Sequence, residues 1–385
     1  MADTPRVYIS PAVLLWLVDR SGKDPDDFVD RYPKWEAWLT GDSAPTLGQA
    51  QQLAKTAGVP FGYLLLERPP ALDLPVPDFR EGVDADLREP SSNLLAVVHQ
   101  SIRRQDWYRD YVEDNGLPAV EIVGAGEGRE PHEVAADMRR ALSFEVEQRR
   151  GSWNDVRKHL LRAFEALGGL TVATSMVENN THRLLDESEF RGFSLVDRFA
   201  PLVFVNTHQT LNGQIFTLGH EFAHVWLGRS GISLEDPKWQ PQGEVETWCN
   251  AVASEFLVPG GDLQRHYVEV GELPLTQQLE NLAARYRCGT LVVLQALRRY
   301  RLRKFIDFDA IYDSELRRLL ELSKDKPSGG GDHYANQPFR IGERFSRAII
   351  SDALSGRTAL TDAIRLTSLK SLSSFDTYAN RLGVA

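Results

Sequence analysis

Apolar residues recur at helical spacing through the first 70 positions of the chain. The first group comprises Val13, Leu14, Leu17 and Val18 and stops at Ser21-Gly22. Asp24-Pro25 then has the form of an N-cap followed by proline at the first helical position. Further short apolar groups lie at Trp35–Gly41, Thr46–Gly58 and Phe61–Leu65. The pattern therefore predicts five short helices.

Beyond this region, the pattern changes to longer helices and a few short strands. The proline-rich run 67–81 cannot continue a helix, so it predicts an extended connector. Helices are predicted at 91–114, from Pro131, and at 153–167, 216–228, 245–259 and 276–303, and strands at 170–174 and 201–206. Residues 326–337 have the composition of a linker, and two or three amphipathic helices are predicted after it.

These elements predict an α+β fold that is mainly helical. We expect an N-terminal five-helix domain at 1–70 and a proline-rich connector with a helical linker region at 71–150. A domain with a small sheet follows at 151–305, and a C-terminal helical region occupies 306–385. This division agrees with the two or three domains that are usual for 385 residues.

Composition narrows the class of protein. Hydrophobic residues make up 42% and charged residues 25% of the chain, which excludes a collagen-like or mostly disordered protein. Two cysteines exclude a disulfide scaffold and agree with a reducing compartment. The sequence has no apolar run of membrane-spanning length and no secretory signal pattern, so we expect a cytoplasmic protein without membrane contact. The net charge of -10 means that any contact with DNA must be local.

His220, Glu221 and His224 form an HExxH motif within one of the predicted helices. Positions i and i+4 lie on one helical face, so both imidazoles can reach a single ion. The glutamate between them can accept a proton from a water that a zinc ion activates. The alternative is a charged surface face with two histidines. The apolar flanks favour burial instead, where such polar side chains need a partner such as a metal.

A catalytic zinc usually takes a third protein ligand. The downstream carboxylates are Glu235, Asp236, Glu244, Glu246 and Glu255. Glu246 falls within the apolar arc of the helix at 245–259, so it is the predicted third ligand, whereas Glu244 and Glu255 fall toward solvent. Asn250, four residues on, is placed to orient a ligand. The alternative for Glu246 is a helix-start carboxylate that the helix dipole favours.

Segments 204–228 and 244–259, together with 189–206, resemble the ImmA/IrrE metallo-endopeptidases. The resemblance covers about 150–305 and implies zinc held by His220, His224 and Glu246, with Glu221 as general base. The sequence departs from the family pattern at Trp248 and Cys249, which are not ligand positions, and Cys249 is expected in the core.

By analogy with zincins, the strand before the HExxH helix is a sheet edge that pairs with an extended substrate. That analogy assigns substrate pairing to Val203, Phe204, Val205 and Asn206. An ordinary buried strand is the alternative. The sequence leaves the oxyanion stabiliser open among His208, Tyr267 and Arg229.

The N-terminal region, 32–66 above all, resembles a helix-turn-helix domain of the XRE type, which recurs with a PVPDFR connector and an ImmA/IrrE peptidase in bacterial regulators. Residues 1–70 carry seven Lys or Arg against nine Asp or Glu, so DNA binding stays open beside protein docking or dimerisation. The basic residues to test are Arg20, Lys23 and Lys34.

Two functions compete. The first is a zinc endopeptidase, active or latent, that cleaves a repressor-like protein and thereby controls transcription, a stress response or a mobile element. The second is an XRE-type DNA-binding regulator, or the antitoxin of a toxin–antitoxin pair, in which the peptidase-like domain is a binding module. A protein substrate or partner, such as a repressor or a toxin, is expected in both cases, and DNA and a second copy of the chain stay open as partners.

Overall fold

The computed structural model describes residues 5–21, 24–80, 89–234, 243–324, 337–338 and 340–384. Lys23, Glu235, Asp236 and nearly all of the predicted linker at 326–337 lie outside these residues. The chain divides into two compact units: one comprises Met1–Pro75 and Asp84–Val98, and the other comprises Val76–Val83 and His99–Ala385.

Five short helices lie in the first unit where the sequence pattern predicts them, and the first residues of a longer helix, Ser92–Asp114, also belong to this unit. The five short helices are α1 (Pro11–Ser21), α2 (Pro25–Arg31), α3 (Trp35–Leu39), α4 (Leu47–Ala57) and a 3-10 helix at Phe61–Leu65. The Asp24 carboxylate caps α2 by accepting from the Asp26 N–H at 3.0 Å. Thr46 and Gln49 form a capping box at the start of α4. Local sequence signals therefore account for where α2 and α4 begin.

A cluster of aromatic rings forms part of the core of this unit. Phe28, Tyr32, Trp35 and Trp38 contact one another with ring centroids 5.2–6.5 Å apart. Both tryptophans of the five-residue helix α3 are buried, and its exposed residue is Glu36. This helix therefore holds the unit together but presents no Arg, Lys, Asn or Gln side chain of its own for reading bases.

The remaining described elements are mostly helical and include a small sheet. In chain order they are α5 (Ser92–Asp114), α6 (Pro131–Ala141), a 3-10 helix (Val146–Gln148), α7 (Trp153–Ala166), β1 (Leu170–Thr174), β2 (Gly192–Leu195), β3 (Leu202–Asn206), α8 (Leu211–Leu227), β4 (Gly231–Ser233), α9 (Glu244–Leu257), α10 (Gly260–Val270), α11 (Leu275–Tyr286), α12 (Thr290–Arg299), α13 (Phe308–Lys324), α14 (Glu343–Leu354), α15 (Leu360–Leu366) and α16 (Leu372–Leu382). The α+β, mainly helical class is confirmed. No helix in the described ranges is long and apolar enough to cross a membrane.

The sheet has the strand order β1-β3-β2-β4, with β1 parallel to β3 and the other pairs antiparallel. β3 pairs along its whole length with β1, from Leu170↔Leu202 to Thr174↔Asn206, and pairs with β2 on its other side. The prediction that Val203–Asn206 is a substrate-binding edge is therefore wrong, because both edges of this strand already have partners. The buried-strand alternative holds instead.

Helix α8 packs against β2 and β3 and against α7 and α9. Every residue from Gln214 to Trp226 is buried, so the helix is enclosed on all sides. Phe222 stacks on Phe164 of α7 with ring centroids 4.7 Å apart. Helix α8 is thus the central element of the second unit, and its polar side chains are buried inside the protein.

Glu165, at the end of α7, connects the C-terminal helices to the sheet. Its carboxylate accepts hydrogen bonds from the Thr171 hydroxyl (2.7 Å) and from the backbone N–H groups of Glu343 (3.1 Å) and Arg344 (3.3 Å). It therefore caps the N-terminus of α14, which has no side-chain cap of its own. Burial raises the pKa of Glu165 to about 7 even though these hydrogen bonds act in the opposite direction.

We expect Glu165 to make folding depend on pH. Its pKa is near 4.5 when unfolded and about 7 when folded, so the folded state binds more protons in this window. The contribution of Glu165 to the stability of the folded state is fully present below pH 4.5 and is lost as pH rises through about 7. Urea denaturation across this range should show the free energy of unfolding falling in wild type relative to Glu165→Gln, by at most roughly 3 kcal/mol. If the difference in unfolding free energy between wild type and Glu165→Gln stays constant with pH, this role is contradicted. Glu321→Gln, a substitution at an exposed position, serves as the control.

Candidate metal centre

Two helices position the predicted metal ligands. Helix α8 is capped at its start by Thr210, whose hydroxyl accepts from the Gly213 N–H at 3.2 Å, and at its end by Gly228 in the left-handed conformation. His220 and His224 lie one turn apart on this helix. Helix α9 packs alongside and brings Glu246, in its first turn, against both imidazoles.

The three side chains converge on one point. The two Nε2 atoms of His220 and His224 are 3.0 Å apart. The Glu246 carboxylate oxygens lie 3.1 Å from Nε2 of His220 and 3.0 Å from Nε2 of His224. Donors about 2.0–2.1 Å from a tetrahedral zinc lie about 3.3 Å from one another, so this set is close to the spacing that zinc requires. Two imidazoles and one carboxylate are also donor types that zinc favours.

The surroundings prepare these groups to act as ligands. Asn250 Oδ1 lies 2.9 Å from Nδ1 of His220, so that nitrogen donates and Nε2 presents its lone pair to the centre. Both histidines are completely buried, and Glu246 is 6% exposed. Burial alone would raise the pKa of Glu246, but the facing imidazoles of His220 and His224 hold it well below its usual range. The centre therefore favours Glu246 in its carboxylate form.

Glu221 lies next to the ligand set and is completely buried. The Ser194 hydroxyl, from β2, donates a short hydrogen bond to its carboxylate and also lies 3.1 Å from its backbone oxygen. Gly192 on the same strand leaves space for this approach, because a Cβ there would come 2.8 Å from Glu221 Oε1 and 2.9 Å from Phe204 O. Strand β2 thus fixes the direction of the Glu221 carboxylate.

The other predicted residues take different places. Glu244 is exposed at the start of α9, and Cys249 is buried in the core. Glu255 accepts from the Gly260 N–H at 3.2 Å and from the Tyr300 hydroxyl. Neither carboxylate is part of the cluster of His220, His224 and Glu246.

The oxyanion candidates are also committed elsewhere. Nδ1 of His208 lies 2.8 Å from the Leu185 carbonyl oxygen. Arg229 is paired with Glu127 at 3.8 Å on the surface, and Tyr267 packs against the main core.

Of the predicted DNA contacts, Lys34 is exposed at the start of α3. Arg20 donates to the Pro90 carbonyl oxygen at 2.6 Å and lies over the Trp16 ring. The guanidinium of Arg20 therefore has a structural role within its own unit.

Sequence reasoning missed three residues at the centre. They are Ser194, Ser233, whose hydroxyl lies 3.4 Å from Nε2 of His224, and Phe79, whose ring stacks on the His224 ring at 5.9 Å. A polar residue inside the otherwise apolar strand Gly192–Leu195 was the available signal for Ser194. The position of Phe79 carries no comparable signal, because only the tertiary fold brings it to the histidine.

We expect purified wild type to bind about one zinc ion per chain. His220→Ala and Glu246→Ala each remove a ligand and should abolish stoichiometric binding. Asn250→Ala should weaken the zinc affinity by about 10- to 100-fold, because it removes the acceptor that orients His220. Elemental analysis and competition with a chelator measure both effects. Glu244→Ala is the matched control in the same helical turn, and loss of zinc from it, or retention by Glu246→Ala, would contradict the ligand set.

Comparison with known proteins matches two parts of the chain. Residues 164–298 match the IrrE N-terminal-like domain of peptidase family M78, and residues 341–381 match a domain of unknown function, DUF8813. A search of curated proteins finds no match. The first match encloses His220, Glu221, His224 and Glu246. Residues 164–298 are therefore similar to the IrrE N-terminal-like peptidase domain, and this similarity supports a metallopeptidase-like function.

Proposed function

We propose that this protein is a zinc-dependent endopeptidase that cleaves a regulatory, repressor-like protein and thereby controls transcription, a stress response or a mobile element. One observation carries the proposal: two imidazoles and a carboxylate lie about 3 Å apart, directly beside a second buried carboxylate that has a different hydrogen-bond partner. The similarity of residues 164–298 to a peptidase domain agrees with this chemistry.

Two carboxylates have different roles in the proposed mechanism: Glu246 is a metal ligand and Glu221 is the proton acceptor. His220, His224 and Glu246 would hold the metal; when bound, zinc supplies the Lewis acidity that lowers the pKa of a water and polarises a peptide carbonyl. Glu221 accepts a proton from the attacking water and returns it to the leaving amine. Ser194 holds the Glu221 carboxylate in place, so that its oxygen does not turn away from the reacting atoms.

The N-terminal unit supports a role in protein contact more than base readout. Both tryptophans of α3 are committed to the core, and the exposed side chain of that helix is acidic. The Arg20 guanidinium is engaged by a backbone carbonyl oxygen. We therefore place recognition of the protein partner ahead of DNA recognition for this unit.

Glu221→Gln tests the proposed chemistry directly. The zinc-loaded protein is incubated with repressor-like proteins encoded by the neighbouring genes, as candidate substrates, and the products are identified by mass spectrometry. We expect wild type to cut the repressor at one defined place. The variant should bind zinc normally but cleave about 10²- to 10⁴-fold more slowly, because an amide cannot accept the proton. Undiminished cleavage by the variant, or no cleavage by zinc-loaded wild type, would overturn the proposal.

Ser194→Ala tests the positioning of Glu221. The variant loses one hydrogen bond to the carboxylate, so we expect kcat to fall by about 10-fold or more while KM and zinc content stay unchanged. Ser254→Ala is the control, because the Ser254 hydroxyl bonds the Asn250 carbonyl oxygen and not Glu221. An increase in KM at constant kcat would show that Ser194 acts in substrate binding instead.

A further inference from the structure

The outer edge of β4 is occupied by a segment of the protein's own connector. The Phe79 N–H donates to the Ile232 carbonyl oxygen at 2.9 Å, and the Ile232 N–H donates to the Pro77 carbonyl oxygen at 3.0 Å. Asp78 is thereby bridged to Ile232 in the parallel sense. We name the segment Pro77–Arg80 the edge segment. It forms hydrogen bonds with both the N–H and the carbonyl oxygen that Ile232 directs away from β2.

The side chain of Phe79 brings the edge segment to the metal centre. Its ring stacks on the His224 ring with centroids 5.9 Å apart and planes at 15°. Gly231 provides the surface beneath it, since a Cβ at that position would come 2.3 Å from two atoms of the Phe79 ring. The Phe79 ring thus packs against Gly231 of β4 and against the ring of His224, a proposed ligand.

Arg80 anchors the edge segment at its other end. Its guanidinium is buried and pairs with Asp78 at 2.8 Å and with the buried Glu189 at 3.4 Å. The Arg80 N–H also donates to Asp78 Oδ1 at 3.1 Å. A buried charge that loses its partner is costly, so these contacts hold the segment in place.

The centre beside the edge segment is closed to solvent. His220, Glu221 and His224 have no exposed surface, whereas an endopeptidase has to admit an extended polypeptide beside these residues. Extended peptides commonly bind by adding to the edge of a sheet. β4 offers such an edge next to the ligands, because Ser233 lies 3.4 Å from Nε2 of His224.

We infer that the edge of β4 is the strand-docking surface for substrate and that the edge segment is its intramolecular occupant. The substrate is then an extended peptide that replaces the segment on Ile232 and places an aromatic side chain over Gly231 and His224. This inference rests on the proposed peptidase function and adds to it both a substrate class and an autoinhibited state.

Phe79→Ala in the full-length, zinc-loaded protein tests the inference without requiring cleavage. The variant should weaken the attachment of the edge segment to β4, because it loses the ring stack and the Gly231 contact while the Arg80 contacts remain. We expect hydrogen exchange at Ile232 to become about 10-fold faster than in wild type. Asp73→Ala, an exposed position of the same connector, is the matched control and should leave this exchange unchanged. Equal exchange at Ile232 in wild type and Phe79→Ala would overturn the inference.

A second measurement separates an exchangeable occupant from a permanent fifth strand. A fluorescent peptide LPVPDFR, the sequence of residues 74–80, is titrated into both proteins on a Glu221→Gln background. We expect binding to Phe79→Ala to be about 10-fold tighter than to wild type, and a peptide with alanine in place of its phenylalanine should not bind. Failure of LPVPDFR to bind Phe79→Ala would identify the segment as a permanent strand and overturn the inference.

Cleavage assays then distinguish this inference from the function on which it rests. With the repressor as substrate, Phe79→Ala should cleave several-fold faster than wild type at equal zinc content. If exchange and peptide binding behave as expected but no protein is cleaved, the peptidase function fails while the docking surface stands. If wild type cleaves and Phe79→Ala is no faster, the autoinhibited state is wrong.

Discussion

Everything at this centre depends on burying three candidate metal ligands between two packed helices. His220, His224 and Glu246 have almost no contact with solvent, and an isolated buried carboxylate would be costly. The close packing of α8 on α9 and on the sheet fixes the distances between their donor atoms, so the geometry does not rely on flexible loops. The apolar character of α8 is therefore a condition for the chemistry as much as for folding.

Periodicity alone predicted much of this arrangement. The spacing of His220 and His224 places both on one helical face, and the apolar arc of the next helix singled out Glu246 among several carboxylates. The structure brings these three together and sets Glu244 and Glu255 apart. Such inferences succeed because helix geometry is local, and a buried acidic residue on an apolar face is visible in the sequence.

The sheet shows where local reasoning ends. The five residues of β3 fit an edge strand and a central strand equally well, and only pairing with β1 and β2 decides between them. Phe79 and Ser194 come from segments distant in sequence from the histidines, and their contacts arise from chain topology. No periodicity in the connector could indicate that Phe79 stacks on His224, a candidate metal ligand.

The shortness of β4 limits how a partner protein can be recognised. The strand has three residues, and only Ile232 directs a donor and an acceptor outward. A polypeptide docked there gains two main-chain hydrogen bonds, which together contribute only a few kcal/mol at most. A substrate docked on this edge would need a short accessible motif in an exposed loop or linker, and well-folded domains would be left untouched. A repressor cut in this way would lose the connection between its parts while each part kept its own fold.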